Sequence, residues 1–393
     1  MSLKLIWRVF CKELRESLRD KRTLLNAILI GPFLGPALFV VLTKLAVGRQ
    51  QEQMEQPLPV VVIGAEYAPN LMSALEQAGL ELKPAVADPA TAVRERRIDL
   101  ALRIAPDYGA QWRAGKPARI EIFYDSSRQD VATQAQRLRT MLAGYIQQQA
   151  NLRILARGIA PTLMMPINIA ERDQATPQAR GAILFAMLPY FLIMTAFMGG
   201  MFLAIDSTAG ERERHSLEPL LITPISRGDL LLGKLSAVST FSFTSVLLSV
   251  IGFGIAAYFM AHGSLQLPIS LSSDFALRLL PLMLPLVLLV AVLQMLVTSF
   301  AKTFREAQTW LGLLQLAPIV PLMIVTVLQV RPELWMFCVP LLGQEMAAME
   351  LLRGESIGWL ASSLCIVSTL LCAGLLFLLT RRIFESERLG ISA

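Results

Sequence analysis

Residues 277–300, LRLLPLMLPLVLLVAVLQMLVTSF, decide the fold class of this chain. The stretch carries a single charged side chain, Arg278, close to its beginning. A run of about 20 apolar residues has the length that a helix needs to cross a bilayer core of roughly 30 Å. We therefore interpret these residues as a membrane-spanning helix, which indicates an integral membrane protein.

Five further apolar runs lead to the same interpretation. Hydrophobic residues make up 54% of the 393 positions and charged residues only 17%, whereas a soluble domain carries about a quarter charged residues. One long stretch, 48–176, has ordinary soluble composition. The sequence therefore predicts a mainly α membrane protein with six transmembrane helices and an extracytoplasmic α/β domain inserted between the first and second helices. The predicted helices cover 24–47, 182–205, 237–261, 277–300, 310–330 and 357–380.

Alternating strand and helix patterns fill the stretch 48–176. Apolar and β-branched runs bounded by turn residues are typical of strands, and the segments between them have helical periodicity. Such alternation favours a small α/β domain. Strands are predicted at 58–63, 80–86, 98–104 and 118–124, and helices at 70–78, 89–97, 106–114 and 129–157.

Lysine and arginine are distributed unequally between the predicted loops. Seven of them lie in the first 22 residues, and others follow the second, fourth and sixth predicted spans. Because cytoplasmic loops are enriched in these residues, both termini are expected in the cytoplasm and the 48–176 domain on the extracytoplasmic side. Residues 1–23 combine basic and apolar faces, which predicts an amphipathic cytoplasmic elbow helix at the membrane interface.

The content of charged residues, cysteine and histidine argues against several functions. The formal net charge of +6 comes with basic residues beside predicted spans, so we expect contact with the lipid bilayer and not with nucleic acid. Four cysteines and two distant histidines provide neither a disulfide framework nor a zinc site. With no convergent catalytic cluster in the sequence, we expect no catalytic residues and no metal site.

The segment 331–356 is apolar but interrupted. Pro340, Gly343 and several acidic residues break it, so it is too irregular for a further span. We interpret it as an outer segment of re-entrant or interfacial helices.

The most informative stretch is GERERHSLEPLLITPISRGDLLLGKL, residues 210–235. Acidic residues suit the beginning of a helix, and an apolar patch follows at i, i+3, i+4 spacing, which predicts an amphipathic helix over 211–223. Ser226 is placed to cap a second helix, with Asp229 three residues further, and that helix runs into the third span. Burial of the patch against a soluble partner is as compatible with the sequence as burial against the chain's own bundle or on the membrane face. The patch consists of Leu217, Leu220 and Leu221.

This stretch resembles the segment before the third span in ABC-2-type export permeases, with the sodium-efflux permeases as the most similar branch. The resemblance extends to the basic amino terminus, to DLALRIAPDYGAQWRAG at 99–115, to YDSS at 124–127 and to VPLLGQ at 339–344. His215 and Ser216 stand where the family frequently has Gly and Thr. The family implies that residues 206–235 form a coupling segment that docks on a separate ATPase subunit.

The resemblance also implies a role and partners. It implies a non-catalytic permease subunit of an ATP-driven ABC exporter in the bacterial inner membrane, working as a homodimer or with a sister permease. The partner subunit would bind ATP and Mg²⁺, so no cofactor is expected on this chain. The residues that the family implies for coupling are Glu211, Arg212, Glu213, Arg214, Leu217, Glu218, Leu220, Leu221, Pro224, Ser226 and Arg227.

A near match to a phosphate-binding loop ends the stretch. GDLLLGKL, residues 228–235, fits G-x-x-x-x-G-K-[ST] except that Leu235 replaces the hydroxyl residue that binds Mg²⁺. The pattern also requires a loop after a strand, whereas these residues lead into a predicted span. We therefore expect no ATP binding by this chain.

Ionisable side chains inside the predicted spans are scarce. Such a group at mid-membrane indicates function by default, and the sequence gives no reason to expect a buried carboxylate. Gln294 and Gln315 are the candidates for lining a transport pathway, while the serines and threonines of the third span are interpreted as packing residues. Sodium, a drug and a lipid-like compound all stay open as substrates.

The sequence supports other functional classes less well. A membrane sensor that binds ligand with its outer domain predicts a large cytoplasmic effector domain, and a secondary transporter predicts internal repeats. A membrane-embedded hydrolase requires paired His, Glu or Asp at span depth. We find none of these patterns in the sequence, and the sensor and the secondary transporter are kept as alternatives.

Overall fold

The computed structural model describes residues 3–161, 185–214, 226–262, 273–327 and 332–385, together with 172, 174, 176, 216, 271 and 330. The chain divides into two compact units. The first, called here the helical unit, consists of Met1–Leu45 and Gln174–Ala393. The second, called the sheet unit, consists of Ala46–Asp173.

Within the described residues, six helices are long and apolar enough to cross a membrane. This number agrees with the sequence prediction, and the fourth helix has the highest mean hydropathy, 2.6. We call them the first to sixth spans in chain order. They are Leu25–Arg49, Leu188–Glu213, Arg227–His262, Asp274–Phe300, Phe304–Val325 and Trp359–Glu385.

The bounds of the regular elements are as follows, in chain order. The strands are β1 (Leu58–Ile63), β2 (Leu80–Lys83), β3 (Leu100–Ile104) and β4 (Ile120–Tyr124). Two π-helical turns, Leu25–Ile30 and Asp206–Gly210, and two 3₁₀ turns, Ala65–Tyr67 and Leu334–Cys338, complete the described elements. The α-helices are α1 (Leu3–Arg19), α2 (Lys21–Leu24), α3 (Gly31–Glu55), α4 (Pro69–Gln77), α5 (Pro89–Arg94), α6 (Tyr108–Arg113), α7 (Gln129–Leu155), α8 (Leu188–Ile205), α9 (Glu211–Glu213), α10 (Arg227–His262), α11 (Ser273–Phe300), α12 (Phe304–Leu314), α13 (Ile319–Val327), α14 (Leu342–Leu352) and α15 (Trp359–Glu385).

Helix α1 lies against the beginning of the third span. Its buried face contains Val9, Glu13 and Ser17. Gly233 makes room for this contact, because a Cβ at that position would come within 2.6 Å of the Val9 side chain. The predicted amphipathic helix is therefore confirmed, but its packed face includes a carboxylate that the sequence does not mark as buried.

Small residues let the second and third spans approach closely. A Cβ at Gly199 would lie 2.6 Å from the Cβ of Ser245 and 3.0 Å from the Cα of Ser242. Both serines are fully buried. The interpretation of the third-span serines as packing residues is confirmed at these two positions.

The fifth span is a broken helix. It begins at Phe304, where the hydroxyl of Thr303 accepts a hydrogen bond from the backbone N–H of Glu306 at 3.2 Å. It is interrupted after Leu314 and resumes at Ile319. Pro318 has no backbone N–H to donate, which accounts for the interruption. The predicted bounds 310–330 therefore miss the first turns.

The segment between the fifth and sixth spans forms a 3₁₀ turn and then α14, which packs among the spans. Its VPLLGQ sequence makes a tight entry into α14. Leu341 has a positive φ of 70°, and the side chain of Gln344 accepts from the Leu341 N–H at 2.8 Å. The amide of Gln344 then donates to Thr369 on the sixth span at 2.8 Å. Helical elements are therefore found in the described part of 331–356, and its outer, re-entrant or interfacial placement stays a prediction.

The described part of the sheet unit contains a four-stranded sheet in the order β2-β1-β3-β4. β1 pairs in parallel with β2 and with β3, and β4 is antiparallel to β3. The four predicted strands and the four predicted helices are all found, although β2 ends three residues early, at Lys83. The core between the sheet and its helices includes the fully buried Val60, Leu75, Leu102 and Leu138.

Replacing Gly199 by alanine is expected to lower stability by about 1–3 kcal/mol, because the added methyl group forces the second and third spans apart. Thermal unfolding of the detergent-purified chain measures the change. Gly254→Ala on the third span is the matched control, since a Cβ there meets nothing within 4 Å. Equal unfolding temperatures for the two variants would contradict the close-packing argument.

Candidate functional site

A buried ion cluster joins α1 to the second and third spans. At its centre the ammonium group of Lys234 is completely buried. It donates to the Glu211 carboxylate at 2.5 Å and to the Ser207 carbonyl at 2.7 Å. The Glu13 carboxylate lies 3.3 Å from the same nitrogen. Three separate elements therefore supply the oxygens around one lysine.

Lys12 is the more exposed lysine of the cluster. Its ammonium nitrogen lies 3.2 Å from both Glu13 and Glu211 and 3.3 Å from Glu16. Burial by itself would lower the pKa of Lys12, but the neighbouring carboxylates of Glu13, Glu211 and Glu16 raise it. Lys12 thus stays charged and balances the second carboxylate of the cluster.

The energetics of such a cluster are asymmetric. Removing two charges from water is costly, and their attraction offsets this only with close geometry and further hydrogen bonds. Removing one partner leaves an uncompensated buried charge, which costs about 3–5 kcal/mol. Any rearrangement that separates α1, Glu211 and Lys234 is therefore costly in free energy.

The two residues after Glu211 contact the end of the fourth span and the beginning of the fifth. The guanidinium of Arg212 donates to the carbonyls of Ser299 and Ala301, both at 2.9 Å, and so satisfies the carboxyl end of the fourth span. The carboxylate of Glu213 accepts from the backbone N–H of Phe304 at 2.7 Å, at the beginning of the fifth span. The consecutive residues Glu211, Arg212 and Glu213 thus contact the third, fourth and fifth spans, respectively.

Three further predicted coupling residues also make contacts within the chain. Arg214 pairs with Asp206 at 2.9 Å. Arg227 donates to the carbonyls of Phe384 and Glu385, both at 3.1 Å, at the end of the sixth span. Ser226 caps the third span, since its hydroxyl accepts from the Asp229 N–H at 3.1 Å. The prediction of this cap, and of one continuous helix from it into the span, is confirmed.

The family resemblance led us to expect the Glu211–Arg214 side chains at the rim of a partner interface. The structure places them in contacts within the chain, and Glu211 is only 5% exposed. Arg212 is half-buried, while Glu213 and Arg214 keep exposed surface. The apolar patch Leu217, Leu220 and Leu221, with Glu218 and Pro224, lies outside the described residues, and its docking role stays a prediction.

A groove of about 1090 Å³ opens beside the ion cluster, within the helical unit. Acidic side chains predominate along it, because five carboxylates and only two basic side chains line it. Phe202, Phe304 and Gln308 are among the uncharged residues of its walls. The charged residues that line it are Lys12, Glu16, Asp20, Asp206, Glu211, Glu213 and Arg214.

The two glutamines predicted to line a pathway both contact the second span. Gln294 is 1% exposed and donates to the Phe197 carbonyl at 2.5 Å. The amide nitrogen of Gln315 lies 3.0 Å from the Met201 sulfur. A role in the pathway stays a prediction for both.

Sequence reasoning missed a further buried carboxylate, at Glu345 on α14, which lies outside the six spans. The residue is fully buried, and neither carboxylate oxygen has a hydrogen-bond partner among the described residues. Burial raises the pKa of Glu345 to about 8. The expectation concerned the predicted spans, and this buried carboxylate between the fifth and sixth spans was not anticipated. The acidic interruptions of the apolar segment 331–356 were the available signal.

The comparisons with known proteins agree with this architecture. The model of the family described as ABC-2 family transporter protein matches residues 21–386. The chain belongs to this family. This ABC-2 protein is also 24% identical over 318 residues to the "ABC transporter permease protein NatB" of Bacillus subtilis (strain 168), across 80% of this chain and 81% of NatB.

Family membership fixes the general role of the chain. This ABC-2 protein is a multi-pass transmembrane transport subunit and not an enzyme. An ABC ATPase is implied as its partner. Glu211 of the cluster belongs to the family sequence GERER at 210–214, and Lys234 belongs to the Gly-Lys pair at 233–234 on the third span. Packing within the chain therefore explains part of the family sequence.

Replacing Lys234 by methionine is expected to lower stability by about 3–5 kcal/mol, because Glu211 and Glu13 then remain buried with too little positive charge. Adding Glu211→Gln should restore part of this loss. Thermal unfolding of the purified chain measures both variants. Lys302→Met, at an exposed position, is the control, and a Lys234 variant as stable as this control would refute the argument.

Stability should fall as pH rises through the window between 4.5 and about 8, because in this range the Glu345 carboxyl ionises in the unfolded chain but stays neutral in the folded one. Glu345→Gln removes this dependence. The unfolding free energy of the native chain relative to that of the variant should fall across the window by up to about 5 kcal/mol. A difference that does not change with pH would exclude a neutral Glu345.

Proposed function

We propose that the chain is the permease subunit of an ATP-driven exporter, with residues 206–235 as the coupling segment for a separate ATPase. The observation that carries this proposal is the buried ion cluster of Lys234, Glu211, Glu13 and Lys12 at the base of that segment. A force applied to the segment needs a rigid attachment to the spans if it is to move them. Charged groups that cannot separate without a large cost provide such an attachment.

The contacts around the cluster support a defined path for this force. Glu211 connects the segment to α1 and to the third span. Arg212 and Glu213 connect it to the end of the fourth span and to the beginning of the fifth. Closure of the ATPase subunits on ATP would therefore displace the inner ends of several spans together and reorient the bundle.

The proposal includes a topology and an assembly. Both termini and residues 206–235 lie in the cytoplasm of a bacterial cell with this chain in the inner membrane, and the sheet unit lies on the extracytoplasmic side. The distribution of lysine and arginine supports this orientation. Two permease chains, either identical or one of them a sister permease, combine with two ATPase subunits.

The exported substrate is proposed only by class. The name of NatB describes a permease and no substrate, so sodium, a drug and a lipid-like compound are all kept as candidates. The buried Glu345 removes the argument that the bundle lacks a carboxylate for an ion substrate. The ion is therefore kept beside amphipathic compounds that cross between spans.

Replacing Leu220 and Leu221 by aspartate is expected to abolish binding of the ATPase, because two charges would enter an apolar interface. The detergent-solubilised chain is pulled down from its own host, and nucleotide hydrolysis is assayed in the eluate. The native chain should co-purify with an ATPase, and the double variant should lose it.

The control for this experiment is Leu82→Asp, an apolar-to-acidic change at an exposed position of β2 in the sheet unit. It should retain the ATPase. Retention by the Leu220 and Leu221 variant would reject the docking role. A native chain that purifies without any hydrolysing partner would favour a membrane sensor or a secondary transporter instead of an ATP-driven exporter.

A further inference from the structure

The sheet unit contains a concave site of its own. A cavity of about 400 Å³ opens between α6, the loop that follows it, β4 and α7. Its floor is formed by Leu71, Tyr108, Leu142 and Tyr145, all of them buried. Ligand pockets in proteins range from about 300 to 1,000 Å³ and have predominantly apolar linings. The volume of this cavity lies within that range, and its lining is also mostly apolar.

Stacked aromatic rings form one wall of the cavity. The rings of Tyr108 and Trp112 lie 5.7 Å apart and those of Trp112 and Tyr145 6.2 Å apart. The two tyrosines hydrogen-bond each other, and burial raises the pKa of Tyr108 to about 12. The wall is thus neutral at physiological pH and aromatic in composition.

The guanidinium of Arg153 holds Trp112 in place. It lies 3.9 Å from the ring centroid and donates to the Trp112 carbonyl at 2.9 Å. That hydrogen bond uses one of the five N–H donors of an arginine. Arg153 therefore supports the aromatic wall and also brings positive charge to the lining.

The charged groups at the cavity are all positive. Lys116 and Arg153 are the two charged residues among those that line it. The end of Arg157 lies next to the mouth, since a Cβ at Gly115 would be 3.8 Å from its Nη2 atom. An apolar aromatic interior with a cationic rim is complementary to a molecule with a flat apolar body and one anionic group.

We propose that this cavity is a binding site for a small amphipathic anion, whose ring or short chain packs against Trp112 and whose acidic group pairs with Lys116 and Arg153. The volume excludes a protein segment of any length and suits a compound of one or two rings. The proposal goes beyond the exporter function and does not depend on it, because binding in the sheet unit requires neither ATP nor a partner.

Equilibrium dialysis of naphthalene-2-sulfonate against the full chain in lipid nanodiscs tests the site. Empty nanodiscs correct for uptake by the bilayer. We expect saturable binding of one molecule per chain. Naphthalene-2-methanol, which has the same ring system without the charge, should bind about tenfold more weakly.

Two variants separate the apolar and the charged contributions. Ala150→Phe fills the cavity with a ring and should abolish the binding. Lys116→Gln, on an exposed loop where it does not disturb folding, should weaken the sulfonate about three- to tenfold and leave the neutral compound unchanged. Ala110→Phe and Lys83→Gln, outside the cavity, are the matched controls and should bind as the native chain does.

Three results would overturn the proposal. These are the absence of saturable binding by the native chain, unchanged binding after Ala150→Phe, and equal affinity for the charged and the neutral compound. None of them affects the ATPase pull-down, so failure of this site and failure of the exporter function are distinguishable.

Discussion

Burial of one ammonium group constrains the whole helical unit. Lys234 can be buried only if carboxylates reach it, and these come from α1 through Glu13 and from the end of the second span through Glu211. Gly233 lets α1 approach closely enough for that contact. Because the residues after Glu211 hold the fourth and fifth spans, the position of one lysine is connected to the ends of most of the bundle.

The elements with a strong periodic signal could be predicted from the sequence. Six apolar runs gave six spans, and alternating β-branched runs gave all four strands of the sheet unit. Ser226 could be recognised as a cap because its hydroxyl and the next turn have the required spacing. In each case the signal is local, and tertiary contacts did not override it.

The burial of charged residues could not be predicted from the sequence. Glu211 and Lys234 look like solvated groups in the sequence, and only the fold brings α1 close enough to enclose them. Glu345 stands in an irregular segment whose packing among the spans has no periodic signature. The break in the fifth span follows from Pro318, but the start at Phe304 depends on Thr303 and on Glu213, far away in the chain.

The ion cluster also has a consequence for how the protein is made. Lys12 and Glu211 are separated by 199 positions in the chain, and the entire sheet unit is synthesised between them. Helix α1 therefore leaves the ribosome long before its charged face can be matched, and Glu13 stays hydrated until the third span arrives. The cluster can accordingly close only after the chain has been synthesised as far as Lys234, more than 200 residues after α1.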